Sequence, residues 1–367
     1  MKRRDFLQKA IPGVLAGGLV TGCAREPAGS AAVITRPRVS WRMVSSFPRS
    51  LDTLFGAAEL FCRRVGELTD GHFTIRPYPA GELVPGLQVL DAVQQGTVAC
   101  GQTAGYYYTG KNPALAFETT VPFGLSARQQ AAWLTQAGGL DLMNEVLADF
   151  NIRTFYAGGT GAQMGGWFRR EVPDLSSVKG LKMRIPGLGG EIMSRMGATV
   201  QLLSGSDIYM ALERGAIDAT EWVGPYDDEK LGFYKVAKNY YYPGWWEPGA
   251  AIAHYANRGE WDKLPKEYQA AFEAAGIEAG VWMMTHYDRH NPAALTRLLG
   301  HGVQLRRFTD DVMAEAQKVA FELMEERADK DALYRKVFEH WKSFRTESFR
   351  WFNTAELAYQ AFAFPRE

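Results

Sequence analysis

In the stretch GLKMRIPGLGGEIM, residues 180–193, Leu181, Met183 and Ile185 alternate with Lys182 and Arg184. That period of two gives a strand with one apolar face and a second face carrying two cations. The turn PGLGG follows, and GGEIMSRMG then reads as a helix. Read the same way from Val39, VSWRMVSSF is a strand and, after Pro48, LDTLFGAAELFCRRVGELTDG a helix that Gly71 stops. HFTIRPY is the next strand, GLQVLDAVQQGTV a helix with Gly96 near its end, and ACGQTA a short strand. A second unit is expected from about residue 152, with IRTFYAGG, LKMRI and AIDATEWV as strands. Its helix SDIYMALERG takes Ser206 as N-cap, with Asp207 beside it, and Gly215 as its stop. After Gly302 no glycine recurs and Pro365 is the only proline. DALYRKVFEHWKSFRTESFRWF is therefore long-helix material, on which Leu333, Val337, Trp341 and Phe344 repeat at helical spacing and should be buried. Alternating strands and helices predict an α/β fold with largely parallel sheets.

Length and charge narrow the class. The chain has 367 residues, long for one domain and suited to two compact lobes, since domains run to about 100–150 residues. Its 41 basic residues cancel its 41 acidic ones, and no dense basic stripe is present, so nothing points to nucleic acid. The first 23 residues order themselves as an export signal, with basic KRRDFLQKA, apolar IPGVLAGGLV and then TGC. The apolar part is too short for a membrane span, which needs roughly 20 residues. Arg3-Arg4 with Asp5, Phe6 and Leu7 resembles a twin-arginine signal, apart from Lys2. VTGC resembles a lipobox, which would make Cys23 a lipidated first residue. Residues 24–38 read as a tether. Cys62 and Cys100 read as buried free thiols, although export permits a bridge.

Candidate chemistry gathers in two segments. Arg184 carries a planar fork that pairs bidentately with a carboxylate, and the helix after PGLGG begins with amides that favour anions. A carboxylate receptor and a structural ion pair are both open readings of this arginine. In DATEWVGPYDDEKLGFYKVAKNYYYPGWWEPG, residues 218–249, Glu221 and Glu247 each sit beside tryptophan. They are either surface acids or pocket oxygens that, with an amide such as Gln163, could hold a hard cation. Other motifs fail. Gly187-Leu188-Gly189 lacks the third glycine of a dinucleotide turn, where Ile192 stands, and GGTGAQMGG has Met164 there. HYDRH has Tyr287 where a zinc motif has glutamate, so His286 and His290 read as a helix edge. No nucleophile elbow or phosphate loop is present, and catalysis has no positive sign.

The segments SSFPRSLDTLFGAAE, AGELVPGLQVLDAVQQGTV, YYYTGKNP, VPFGLSAR, GAQMGGWFRRE, GLKMRIPGLGGEIM, DIYMALERGAIDATEWVGPYDDEKLGFYKVA and YYYPGWWEPG resemble those of the solute-binding proteins of tripartite ATP-independent periplasmic (TRAP) transporters. The 2-oxo acid-binding subgroup is the nearest. The resemblance implies a two-lobed α/β binding protein of the Venus-flytrap type with a long C-terminal helix. Residues 39–151 with about 250–290 would form one lobe, 152–249 with about 291–330 the other, and 331–367 a helical tail for homodimerisation. It implies Arg184 as the carboxylate ligand. It further implies a metal, usually Na⁺ and in a lactate-binding relative Ca²⁺, held by Gln163, Glu221, the Trp222 carbonyl and Glu247, with Phe47 and the tyrosine run 106–108, Tyr107 at its centre, as walls.

The expected ligand is a 2-oxo monocarboxylate such as pyruvate. The cation would read the keto oxygen that an arginine reads poorly. Two glutamates, one arginine and an anionic ligand leave a charge that calcium would cancel and sodium would not. The alternatives are a 2-hydroxy acid receptor using calcium and a sensor ligand-binding module. A transport-linked receptor would deliver its ligand to TRAP membrane subunits from the periplasm, either free or tethered through Cys23.

Overall fold

The computed structural model describes residues 36–364. Along the chain the strands are β1 (Val39–Ser45), β2 (Phe73–Tyr78), β3 (Cys100–Thr103), β4 (Ile152–Gly159), β5 (Gly166–Phe168), β6 (Lys182–Arg184), β7 (Thr199–Gln201), β8 (Ala219–Thr220), β9 (Asn239–Tyr242), β10 (Ala251–Asn257) and β11 (Gln304–Arg307). They form two sheets, ordered β2-β1-β3-β10-β4 and β11-β9-β5-β8-β6-β7. This is the expected α/β architecture, with a long C-terminal helix at Ala332–Phe352.

The sheets are mixed rather than largely parallel. In the first, β1 runs parallel to β2 and β3, while β10 runs antiparallel to β3 and β4. In the second, β5 runs antiparallel to both β8 and β9. The reason is topological, because the chain leaves the first sheet between β4 and β5 and re-enters it between β9 and β10. A strand that arrives from the other sheet without a helical crossover is free to pair antiparallel.

The strand IRTFYAGG corrects the expected division. It pairs along its length with β10, with Tyr255 opposite Thr154 and Ala256 opposite Arg153. Residues 152–159 therefore belong to the first sheet, and the passage to the second begins after Gly159.

Helix ends follow the glycines at Gly71, Gly96 and Gly215, which all adopt positive φ. At the start of the helix Ile208–Glu213 the N-cap is Asp207 and not Ser206; the Ser206 hydroxyl instead pairs with Ser204 at 2.9 Å. The glycine-free tail is not one continuous helix. It opens with β11, continues as Asp310–Lys330, and breaks at Asp331, whose side chain accepts from the Tyr334 amide at 2.9 Å to start the next helix. On that last helix Val337 and Trp341 are buried, and Leu333 and Phe344 half-buried. Trp341 and Tyr334 meet Phe117 edge-on, with ring centres 5.6 and 5.3 Å apart. The neighbouring helix Asp310–Lys330 reaches Gly187–Arg195 through Arg195–Glu326 and Arg327–Glu191 ion pairs. Cys62 and Cys100 are free and buried.

Candidate functional site

Each expected site residue stands just past, or at, the C-terminal end of a strand. Phe47 follows β1, Tyr107 follows β3, Arg184 ends β6, and Glu221 and Trp222 follow β8. Gln163 and Glu247 lie on the two passages between the sheets, after β4 and β9. Ligands of open α/β sheets collect at such ends, where strand order reverses.

Arg184 is 1% exposed. Its Nε donates to the Leu203 carbonyl at 3.1 Å, and its Nη1 pairs with the Glu221 carboxylate and reaches the Glu221 carbonyl at 3.4 Å. The guanidinium lies 5.2 Å from the Trp222 ring centre. The ion-pair reading of this arginine is thus realised, but not completely, because Nη2 is buried without a partner. A buried cationic N–H with no acceptor costs free energy unless something arrives to take it.

Leftover oxygens gather around it. Gln163 donates its amide hydrogens to Thr160 Oγ1 at 2.9 Å, which leaves Oε1 free and buried. Its backbone N–H binds the Glu247 carbonyl at 3.3 Å, tying the two passages together, and Glu247 Oε2 is also buried and unpartnered. Burial raises the Glu221 carboxyl to about 7 even though Arg184 pulls it down. Glu247 is driven well above the ordinary range, first by burial and then by the Glu221 charge. Two glutamates against one arginine leave one excess negative charge when both are ionised.

Gln163, Arg184, Glu221, Trp222, Phe47 and Tyr107 line one cavity. Tyr106, Gly187, Trp246 and Glu247 line a second, adjoining one together with the start of the helix Gly187–Arg195. The helix start and the arginine therefore face neighbouring spaces, with Tyr106 as the wall between them. Gly187 has φ +59° and lies so close to Tyr106 that a Cβ would come within 2.9 Å of that ring's Cβ. This is why PGLGG carries glycine there. Each space leaves about 10 Å³ for the centre of a water-sized sphere, the room of a single water or ion.

Thr160, Leu54, Val223, Ala250 and Ile252 also line the first cavity and were not singled out in the sequence, whereas Tyr106 falls in the tyrosine run expected as a wall. Within the run of three tyrosines the backbone turn Gly105–Tyr108 brings both Tyr106 and Tyr107 to this cavity, while the Tyr108 hydroxyl pairs with Thr103 Oγ1 at 2.9 Å. The histidine pair lies away from this site. His286 and His290 lie on the long helix Lys266–Gly300 with their rings tilted 43° to each other, His290 stacked on Tyr226 and His286 edge-on to it, while Tyr287 between them donates to the buried Asp227 at 2.7 Å.

A hard cation wants several oxygens at once. Among the described residues no three His, Cys, Asp or Glu side chains cluster as a ready-made cage, so a cation here would lean on the Gln163 amide and on backbone carbonyls as well. The orphaned oxygens of Gln163 and Glu247, an acid at 221 and an all-oxygen donor set fit such an ion.

This arrangement is that of a receptor for a small anion. The family of bacterial extracellular solute-binding proteins, family 7, matches residues 44–331, and the chain belongs to it. A monocarboxylate 2-oxoacid-binding periplasmic protein of Nostoc sp. is 54% identical over 363 residues, covering 99% of both chains. The TRAP transporter solute-binding protein of Bordetella bronchiseptica, solved as a dimer with calcium and picolinate, is 46% identical. It superposes with a TM-score of 0.87 over 89% of this chain and 97% of that one. The TRAP solute-binding protein of Colwellia psychrerythraea, with calcium and pyruvate, is 34% identical with a TM-score of 0.86, covering 88% and 99%. That of Pseudoalteromonas atlantica, with sodium and pyruvate, is 35% identical with a TM-score of 0.86, covering 89% and 100%. The family and fold implied by the sequence are both borne out.

Proposed function

We propose that this chain is the extracytoplasmic solute-binding subunit of a TRAP transporter and that its ligand is a small 2-oxo monocarboxylate of the pyruvate class. One observation carries the reading: a buried guanidinium N–H without an acceptor, beside buried oxygens of Gln163 and Glu247 without donors or cations. A monocarboxylate supplies the missing acceptor to Arg184 Nη2, and a cation supplies the missing charge to the oxygens. The relatives with pyruvate and either calcium or sodium support the same pairing.

In this reading Arg184 holds the carboxylate through Nη2, since Nε and Nη1 are taken by Leu203 and Glu221. Gln163, Glu221, Glu247 and the Trp222 carbonyl hold the cation, Na⁺ or Ca²⁺, with charge balance favouring calcium. When bound, that ion would supply Lewis acidity and positive charge to the oxygens of the acid beside Arg184. Phe47 and Tyr107 exclude water, which strengthens both contacts. The cavity is smaller than the acid, so loading requires the two sheets and their helices to move apart as lobes about the passages 160–165 and 243–250. Export through a twin-arginine-like signal at 1–23, lipidation at Cys23, a homodimer built by the C-terminal tail and delivery to the small and large membrane subunits complete the proposal.

Calorimetry tests it. Pyruvate should bind in the presence of Ca²⁺ or Na⁺ and weaken when both are replaced by a bulky organic cation, with acetate binding poorly throughout. Equal affinity for pyruvate and acetate, or no dependence on the ion, would remove the bridged-cation reading.

A further inference from the structure

The helix Ala332–Phe352 sits outside the site, yet one of its side chains holds a peptide that leads directly into it. Arg345 donates from Nε and Nη2 to the Phe123 carbonyl, at 3.1 and 2.9 Å. Among the described residues no carboxylate pairs with this arginine, whose guanidinium is otherwise packed on aromatic faces, 4.1 Å from the Phe349 ring centre and 5.2 Å from that of Phe321. The other side of Phe123 is held as well: its N–H donates to the Trp245 carbonyl at 2.9 Å, and its ring stacks on Trp245 with centres 5.2 Å apart and planes 16° from parallel.

Phe123 has φ +55°, a left-handed backbone that a residue with a Cβ rarely adopts unless its surroundings impose it. The next residue shows how tightly the turn is pressed against the tail. A Cβ on Gly124 would lie 2.4 Å from the Val121 carbonyl oxygen and 2.9 Å from the Trp341 ring. Two residues beyond Trp245 stands Glu247, whose carbonyl receives the Gln163 amide and whose N–H closes a turn onto the Gly244 carbonyl at 3.1 Å. An open cleft of about 1000 Å³ runs along the tail, bounded by Arg345, by Pro248 next to Glu247 and by Gly161 and Ala162 next to Gln163.

We propose that Arg345 is a positioning residue for the ligand site, fixing the Trp245–Glu247 turn through the Phe123 peptide and with it the unpartnered oxygens of Glu247 and Gln163. The inference rests on the function proposed above for those oxygens. The guanidinium touches no ligand. Its two hydrogen bonds and the strained peptide make the site a dependent of the C-terminal helix.

The test uses the full chain and the variants Arg345→Met and Arg345→Lys, with Arg350→Met as a control that lines the same cleft without reaching Phe123. In ligand-free protein, hydrogen exchange at the Phe123 and Gln163 amides should quicken about tenfold or more in Arg345→Met, the size expected when hydrogen bonds from a charged group are lost. Exchange at the β1 amides should be unchanged, and Arg345→Lys should restore part of the protection. Calorimetric affinity for pyruvate in Ca²⁺ should fall about tenfold in Arg345→Met and be unaltered in Arg350→Met. Unchanged exchange at Phe123 and Gln163, or acceleration equal across the whole chain, overturns the relay. Wild-type protein that binds no 2-oxo acid would instead overturn the functional reading, and the exchange measurement would still decide whether Arg345 holds the two passages.

Discussion

Glu118 and Glu247 are almost equally buried, at 2% and 3% exposure, yet their surroundings are opposite. One Glu118 oxygen accepts from Thr154 Oγ1 at 2.6 Å and the other from the Tyr255 hydroxyl. Asp228 is served as fully, by Trp167 Nε1 at 2.9 Å, the Tyr240 hydroxyl at 2.6 Å and the Val223 amide at 3.4 Å. Glu247 keeps an oxygen with no donor, beside a glutamine oxygen and an arginine N–H in the same condition. The difference separates acids that join elements of the fold from acids kept available for something that arrives. Burial alone does not distinguish the two acids; what does is that the unmet groups of Glu247, Gln163 and Arg184 include both signs of charge and lie together.

Removing the one cation of the cavity is the harshest way to break this contrast. Arg184→Ala should abolish measurable carboxylate binding in calorimetry, at a cost of about 3–5 kcal/mol in binding free energy, as when one member of a buried charge pair is truncated. The chain should still fold, because Glu221, already raised to about 7, can take a proton when its partner is lost. Retained affinity would show that the carboxylate is gripped elsewhere.

Glu118 tests the other half of the contrast. Burial raises its carboxyl from an ordinary 4.5 to about 7, so the folded chain holds this proton more tightly than the unfolded one. Stability from this group is whole below pH 4.5 and is lost as the pH rises towards 7, by about 3 kcal/mol across the window. Glu118→Gln should flatten that slope in urea melts at pH 5 and pH 8 while sparing cation-dependent binding.

Glu247→Gln should do the reverse. Affinity for pyruvate should fall by about 2 kcal/mol with most of its cation dependence gone, since a neutral amide replaces one carboxylate of the donor set. Melting without added ions should be no lower than in wild type. A variant that loses stability and keeps ion-dependent binding would exchange the roles assigned to positions 118 and 247.

The smallest effect concerns a pair at the rim. Lys230 pairs with Asp52, which also accepts from the Tyr226 hydroxyl at 3.1 Å, and Asp52 is half exposed. Asp52→Asn should change affinity by less than about 1 kcal/mol and lose even that in high salt, as exposed pairs do. A larger, salt-insensitive loss would mean that the rim contributes as the cavity does.

Much of this site was legible because its chemistry lies next to strong local signals. Arg184 stood out on the polar face of a period-two strand ending in PGLGG, and Glu221 and Glu247 by their tryptophan neighbours. What joins them, the two passages between sheets, was not legible. The pattern of IRTFYAGG fixes a strand but not its partner, and only the pairing with β10 shows which sheet it enters. That Tyr106 and Tyr107 both face the cavity while Tyr108 turns to Thr103 is decided by a single tight turn. Ser206 looked like a helix cap because its residue type permits it, whereas Ser204 supplied a closer hydroxyl partner. Thr160 and Arg345 left no trace, the first because a hydroxyl three residues from Gln163 gives no pattern of its own, the second because it acts on a backbone carbonyl 222 residues away.

The Arg184–Glu221 contact has a consequence for selectivity. On the reading proposed above, a guest carboxylate takes the Nη2 side of a guanidinium whose Nη1 side Glu221 already holds, so two acids share one cation. Like charges that close repel, and a guest with a carboxylate alone would gain little from half a guanidinium. A molecule bringing a second oxygen, adjacent to the first and able to recruit positive charge, would relieve that repulsion. Acetate or formate would not.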